Sequence, residues 1–163
     1  RGRLAEAGCG AVGANLEAEG RWRTGFAAPD EDGRLKYIDH SCKGLGNQGW
    51  KDSADAIRWR DGHIADAPIA LCEAQAYAVE AASATAELFA HFNLDGAAHL
   101  NVYAEQTRTR FRDRFWVGPE GEQFIGLAVD GHGETVDGLA SNMGHVLGLA
   151  PSTRKRSTGS PVP

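Results

Sequence analysis

Several things are scarce in this sequence, and each scarcity excludes something. Methionine occurs once, at Met143, and Arg1 stands where an initiator Met would. No apolar core region follows Arg1 as it would in a secretory leader, so the chain reads as a piece of something longer. Long apolar runs are missing too. No stretch approaches the roughly 20 apolar residues that a helix needs to cross a bilayer, which excludes membrane spanning by a helix. Cysteine is sparse and odd in number (Cys9, Cys42 and Cys72), and no two lie in a C-x-x-C spacing. A zinc or dithiol motif is therefore not signalled, and a reduced, cytoplasmic setting is expected. Positive charge is also in deficit. With 17 Lys+Arg against 22 Asp+Glu, the net charge of -5 favours neither nucleic acid nor an anionic membrane as a partner.

Glycine, by contrast, is abundant: 21 of 163 residues, about 13% against a usual 7% or so. Seven fall in residues 1 to 34. Each would cost a helix interior about 1 kcal/mol relative to Ala, so only a short, weak helix near Leu4 to Glu19 is expected there, in a poorly ordered segment spanning 1-29. Pro29-Asp30-Glu31-Asp32-Gly33 reads as a turn. Its acidic run does not have the spacing of a calcium-binding loop. The last residues, 151-163, contain Arg154-Lys155-Arg156 and one apolar side chain besides Pro, Val162. That tail is expected to be disordered. One folded domain, 30-150, lies between.

Within it, Lys43 to Pro68 is a long loop rich in Gly, Asp and Trp without sustained period, a type that is usually functional or disordered; Trp50 and Trp59 argue against disorder. Pro68 then fits the first turn of a helix. Ile69, Cys72, Ala76, Val79, Ser83, Ala86 and Ala90 follow at spacings of three and four, which predicts a helix with one buried stripe. That stripe is built of small side chains, so a neighbouring helix can approach closely. Asn93-Leu94-Asp95-Gly96 breaks the pattern. Asp95 is the expected cap of a second helix reaching about Arg112, with Ala98, Val102 and Thr109 on its inner side. Phe115-Trp116-Val117, a turn at Gly118 to Gly121 and Phe124 to Val129 predict a small β-hairpin, closed by Asp130-Gly131-His132-Gly133. A short helix is expected after Asp137, through Met143 to Leu147.

Chemistry concentrates in Asn47-Gln48-Gly49-Trp50-Lys51-Asp52-Ser53-Ala54-Asp55. Two carboxylates three apart stand beside an indole and two amides. These are the parts of a sugar site: the ring stacks on a pyranose, the amides bond hydroxyls, and a carboxyl near low-dielectric surface can carry a proton at neutral pH. The alternative is a surface loop whose Trp packs on the core and whose Asp residues cap the next helix. His132, Glu134, Asp137 and His145 have no zinc-like spacing, and no metal or cofactor is expected.

Asn47 to Ala56, then Asp61-Gly62, then Pro68-Ile69-Ala70-Leu71-Cys72-Glu73-Ala74-Gln75-Ala76-Tyr77 resemble bacterial amylo-alpha-1,6-glucosidases of the glycogen-debranching type. The likeness continues more weakly through Phe115-Trp116 and Ala128 to Gly131, and through Val136 to Leu147. The resemblance implies a mainly α fold, part of the (α/α)6 toroid shared with glucoamylases and trehalases, with a small β-hairpin. It implies hydrolysis of α-glucosidic links, at branch points of glycogen-like glucans, by general acid-base chemistry. Asp52 would be the general acid and Asp55 its fallback. Asn47, Gln48, Trp50, Lys51, Glu73 and Gln75 would bind substrate, and Asn142 and His145 would be pocket-edge contacts or helix caps. Cys72 and Tyr77 are read as packing residues.

An inverting glycosidase also needs a second carboxylate about 6.5–9.5 Å from the acid. The resembled enzymes take it from a segment beyond Gly144-His145, where this chain runs into Pro151 to Arg156, so the base is expected to be missing. Twelve helices of about 12 residues, with their loops, need on the order of 300 residues, so a complementary chain completing the toroid is a candidate partner beside the α-glucan or oligosaccharide. A non-catalytic glucan-binding remnant and a frame-disrupted fragment without function are the alternatives.

Overall fold

The structure, a computed structural model, describes residues 33–37, 53 and 55–146. The expected Gly-rich segment 1-29, the tail 151-163 and most of the Lys43 to Pro68 loop lie outside the described residues.

The described residues are mainly helical, with small β elements around one end of a helical hairpin. Strand β1 (Ala70–Leu71) leads into helix α1 (Cys72–His91), and helix α2 (Ala97–Arg114) follows. Strands β2 (Trp116–Val117), β3 (Phe124–Ile125), β4 (Ala128–Val129) and β5 (Thr135–Val136) come next, then a 3-10 helix, Ser141–Val146.

Ala-rich sequence with no interior Gly or Pro makes α1 continuous. It starts later than its periodicity suggests. Pro68 lies in a bend four residues before the first helical residue, Cys72, and not in a first helical turn. Ile69 pairs with Tyr37 in an isolated bridge, Ala70 and Leu71 are extended, and the Cys72 N–H donates to the Leu127 carbonyl. Hydrophobic residues ahead of Cys72 thus continue the apolar spacing while belonging to a sheet. The other end closes by a Schellman motif: Leu94 N–H donates to Phe89 O (2.8 Å) and Asn93 N–H to Ala90 O (3.3 Å), with Asn93 at φ 52°. Leu94 packs against Phe89, the apolar contact usual to that motif.

Two details of α2 differ from the sequence expectation. Its N-cap is Gly96 at φ 110°, with no side-chain cap, so Asp95 does not cap it. Its buried residues are Leu100, Ala104, Thr107 and Phe111, while Ala98, Val102 and Thr109 are exposed. The larger apolar residues Leu100 and Phe111 define a stripe on roughly the opposite side of the helix from Ala98, Val102 and Thr109, and they decide which face turns inward. In α1 the stripe holds at Cys72, Ala76, Val79 and Ala86, whereas Ser83 is half-buried and Ala90 exposed.

The helices run antiparallel. Phe89 and Ala86 meet Leu100 near the connecting turn, and Ala76 shares a cluster with Phe111 and Phe115 at the far end. The Phe111 and Phe115 rings stack at 4.6 Å, an arrangement worth about 0.5–1.5 kcal/mol beyond burial alone.

The predicted hairpin is present, and shorter. Trp116 faces Ile125 and Val117 faces Phe124 in β2–β3. The run Phe124 to Val129 is not one strand: it breaks at Gly126, and its second half enters another sheet of order β1-β4-β5, all antiparallel. A Cβ on Gly126 would lie 2.4 Å from Thr135 Cγ2, so the chain can cross between sheets there only without a side chain. Asp130 shapes the β4–β5 turn, its buried carboxylate accepting the N–H groups of His132 and Glu134, both at 2.9 Å. The final helix is 3-10 and starts at Ser141, not directly after Asp137; Leu147 lies outside the described residues.

Candidate functional site

Asn47, Gln48, Trp50, Lys51 and Asp52 lie outside the described residues. Of the remaining expected site residues, Asp55, Glu73, Gln75, Asn142 and His145 are described, and they fall into two places.

The first is the stretch Asp55 to Ala65. Ile57 and Ala65 are buried, and their backbones are linked by the Ala65 N–H to Ile57 O bond. Between them the chain folds over on itself, with Arg58 bridged to Ile64 and Trp59 N–H donating to His63 O at 2.9 Å. The Trp59 and His63 rings stack at 5.3 Å and 15°. Arg60 N–H donates to Asp137 Oδ1 at 3.0 Å, and a Cβ on Gly138 would come within 2.0 Å of the Arg58 carbonyl oxygen. These contacts lay the Asp137 to Ala140 strand-end against the loop. A cleft of about 430 Å³ lies between them, lined by Ala56, Arg58, Trp59, Arg60, Leu127, Gly138, Leu139 and Ala140.

Asp55 stands beside this cleft, exposed. Ser53 Oγ donates to its Oδ1 and Arg58 Nη2 to its Oδ2 at 2.6 Å. The Ser53 hydrogen bond first, then the Arg58 hydrogen bond and charge, hold its pKa below 3.8. A proton donor at neutral pH needs the opposite shift. In this arrangement Asp55 is an ionised partner of Arg58 and is unsuited to the fallback acid role.

The second place is the face of α1 toward the 3-10 helix. Glu73, in the first turn and 4% exposed, accepts Asn142 Nδ2–H on Oε1 at 2.6 Å, and the Cys72 thiol on Oε2 at 3.4 Å. One turn further, Tyr77 Oη and His145 Nδ1 meet at 2.6 Å. Residues 73 and 77 on one helix and 142 and 145 on the other share facing sides, so spacings of four and three make two rungs of a polar ladder. Its inner rung is buried and its outer rung exposed. Tyr77, expected to be a packing residue, is 47% exposed; Cys72 is fully buried, and burial, with Glu73 alongside, pushes its thiol pKa far up. Asn142 is 1% exposed, and its Oδ1 has no hydrogen-bond partner among the described residues.

Gln75 points elsewhere. It accepts the Leu35 N–H at 2.9 Å and donates Nε2–H to Leu35 O at 2.7 Å and Leu71 O at 3.2 Å. Its amide therefore serves as a surrogate strand for the 33–37 segment. Glu73, Asn142 and His145 are brought together, while Gln75 and Asp55 are held apart from them in separate bonding networks.

Arg58 and Arg60 carry no site role by spacing or resemblance, although Arg58-Trp59-Arg60, an indole between two guanidiniums, stands in the sequence. Among the described residues no three His, Cys, Asp or Glu side chains converge as metal ligands would, and His132 faces Asp66 at 3.3 Å. No helix among the described residues is long and apolar enough to cross a membrane.

Compared with protein-family models and with curated proteins, the sequence matches none.

Proposed function

We propose that this chain is part of a glycoside hydrolase of the amylo-alpha-1,6-glucosidase type, acting on α-glucosidic links of a branched glucan in a cytoplasmic setting. Asp52 protonates the departing glycosidic oxygen. Trp50, with Asn47, Gln48 and Lys51, holds the sugar, and the α1–α2 hairpin is one unit of an (α/α)6 toroid that a complementary chain completes. The observation that carries this reading is the segment Asn47 to Asp55, with its indole, amides and paired carboxylates, followed at a fixed interval by Glu73-Ala74-Gln75-Ala76-Tyr77.

Two observations support it. Asp52 stands four residues before Ala56, the first in sequence of the described residues that line the cleft. The ionised state of Asp55 leaves Asp52 as the candidate acid of the pair. In this reading Glu73 and Gln75 act from beneath, holding the start of α1 against the 3-10 helix and the 33–37 segment, and do not touch sugar.

The test is glucose release from a branched α-glucan by the purified chain, a slow release at most because the general base is expected from the complementary chain. Asp52→Asn should lower that rate by about 10² or more, the usual contribution of a positioned acid, and Asp55→Asn should lower it far less. An Asp52→Asn protein as fast as its parent removes the proton-donor assignment. A second reading, a non-catalytic glucan-binding module, is favoured by the lining of the cleft, which among the described residues includes no Asp or Glu. It predicts saturable maltooligosaccharide binding with no turnover.

A further inference from the structure

The described residues lining the cleft beside Trp59 include Arg58 and Arg60 and no Asp or Glu, and the two cations are in different states. Arg58 is spent: Nη2 bonds Asp55 at 2.6 Å and Nη1 bonds Gly62 O at 2.7 Å. Its charge is compensated and its position fixed. The Arg60 guanidinium lies over the Phe124 ring, 6.0 Å from the centroid, and pairs with no carboxylate among the described residues.

Two acids lie close by in the fold or the sequence, and neither forms an ion pair with Arg60. Asp137 takes the Arg60 backbone N–H through Oδ1, and Asp61 takes the backbone N–H and ring of His63. A guanidinium offers five N–H donors in a planar fork suited to carboxylate or phosphate.

The rest of the described lining is apolar. Stacking on His63 fixes Trp59, Leu127 is buried in the core behind it, and Leu139 stands at the rim with 67% of its surface in solvent. An exposed leucine beside an indole and an uncompensated cation is a surface suited to a ligand with one apolar face and one anionic group. The volume, about 430 Å³, falls in the range of small-ligand pockets, about 300–1,000 Å³, and accommodates a single sugar ring with a substituent.

We propose that this cleft binds a pyranoside bearing an anionic group, with the ring against Trp59 and Leu139 and the carboxylate or phosphate on Arg60. The sugar part of this inference rests on the glycoside-hydrolase reading above; the anionic part rests on the lining alone. It makes the preferred ligand of this subsite an acidic saccharide, not neutral glucose.

Calorimetric titration of the full chain with maltose, glucuronate, glucose 6-phosphate and inorganic phosphate tests it. At least one of the two acidic sugars should bind about tenfold tighter than maltose, as a charge-assisted hydrogen bond allows, and raising the salt should erode that advantage. Which of the two binds tighter identifies the anion. Arg60→Gln, an exposed position, should remove the advantage while the thermal unfolding transition stays in place.

Equal affinity for maltose and both acidic sugars, or an advantage that survives Arg60→Gln, overturns the inference and leaves the glucan reading standing. Inorganic phosphate binding as tightly as glucose 6-phosphate overturns it as well, because the ring then contributes nothing. Acidic sugars bound tightly, with no maltose bound and no glucose released, uphold the inference and remove the α-glucan reading.

Discussion

The start of α1 and the cleft beside Trp59 both gather polar side chains, and they use them in opposite ways. At α1, Glu73 and Gln75 are buried, and each is joined to a distant part of the chain, Asn142 in one case and Leu35 in the other. At the cleft, Asp55, Arg58, Arg60 and Asp61 are exposed, and the ion pairs formed there among the described residues are local, three residues apart for Arg58–Asp55 and two for His63–Asp61. Buried polar bonds are costly to break because the partner left behind cannot turn to water. Exposed pairs contribute little to stability and remain available to a ligand. The first region therefore holds the fold together, and the second is where chemistry can be exchanged with the surroundings. Residues of one sequence segment, Glu73 to Tyr77, divide along the same line, from two buried clamps to an exposed Tyr77–His145 contact.

The sharpest way to break this contrast is Gln75→Glu. The substitution preserves shape and keeps an acceptor for the Leu35 N–H, but turns a donor into a carboxylate oxygen facing Leu35 O and Leu71 O. Burial and the two carbonyls both disfavour the charged form, so the folded-state pKa of the new acid rises above the roughly 4.3 of an unfolded Glu. Stability is then fully present below that unfolded value and is lost as pH rises through the folded one. Urea unfolding should show a deficit of about 3 kcal/mol relative to the parent at pH 7, as for an uncompensated buried charge, shrinking to about 1 kcal/mol at pH 4. A deficit independent of pH would place residue 75 in contact with water and erase the distinction between the regions.

Gly138→Ala probes a buried part of the cleft wall. The added methyl would meet the backbone oxygen of Arg58 at 2.0 Å and its carbonyl carbon at 3.1 Å, so the Asp137 to Ala140 segment must move away from the Trp59 loop. Overpacking of this kind costs about 1–3 kcal/mol. The same shift should weaken any ligand that spans Trp59 and Leu139, a coupled loss that unfolding and titration together would detect.

How much of this was legible beforehand depended on whether the deciding force was local. The α1 helix was, because Ala and straight-chain residues favour helix and nothing interrupts them between Cys72 and His91. The start of α1 was not: Ile69 continues the apolar period, and only pairing with Tyr37 and with β4 draws 69–71 into sheet. The inner face of α2 is not set by spacing alone, because Ala98 and Val102 fit a helical period as well as Leu100 and Phe111 do, and the larger area of the latter decides the rotation. At the candidate site, spacing alone could place Glu73 near a helix start, but it could not show that Asn142 would arrive from sixty-nine residues away to receive it. The cleft needed a contact of the same kind, between Arg60 and Asp137. The Arg58-Trp59-Arg60 triplet was in plain view and carried no pattern that sets it apart from a solvated turn.

The smallest effect is the most direct reading of the exposed side. Because Asp55 is held by Ser53 and then Arg58, its carboxyl should titrate below 3.8, followed by carbon chemical shifts of the side chain. Its stabilising contribution is present above the unfolded value, near 3.8, and fades as pH falls through the lower folded one. Arg58→Ala removes both the second hydrogen bond and the neighbouring charge, while Ser53 keeps the first. The midpoint should therefore move up toward 3.8 without reaching it, and added salt should shift the parent in the same direction but leave the variant nearly unchanged. Global stability should scarcely change, since the pair is exposed at both ends. A variant whose midpoint stays at the parental value would assign the shift to Ser53 alone. Arg58 would then be a second uncompensated cation on the cleft, and the contrast drawn between Arg58 and Arg60 would give way to two equivalent anion-binding groups.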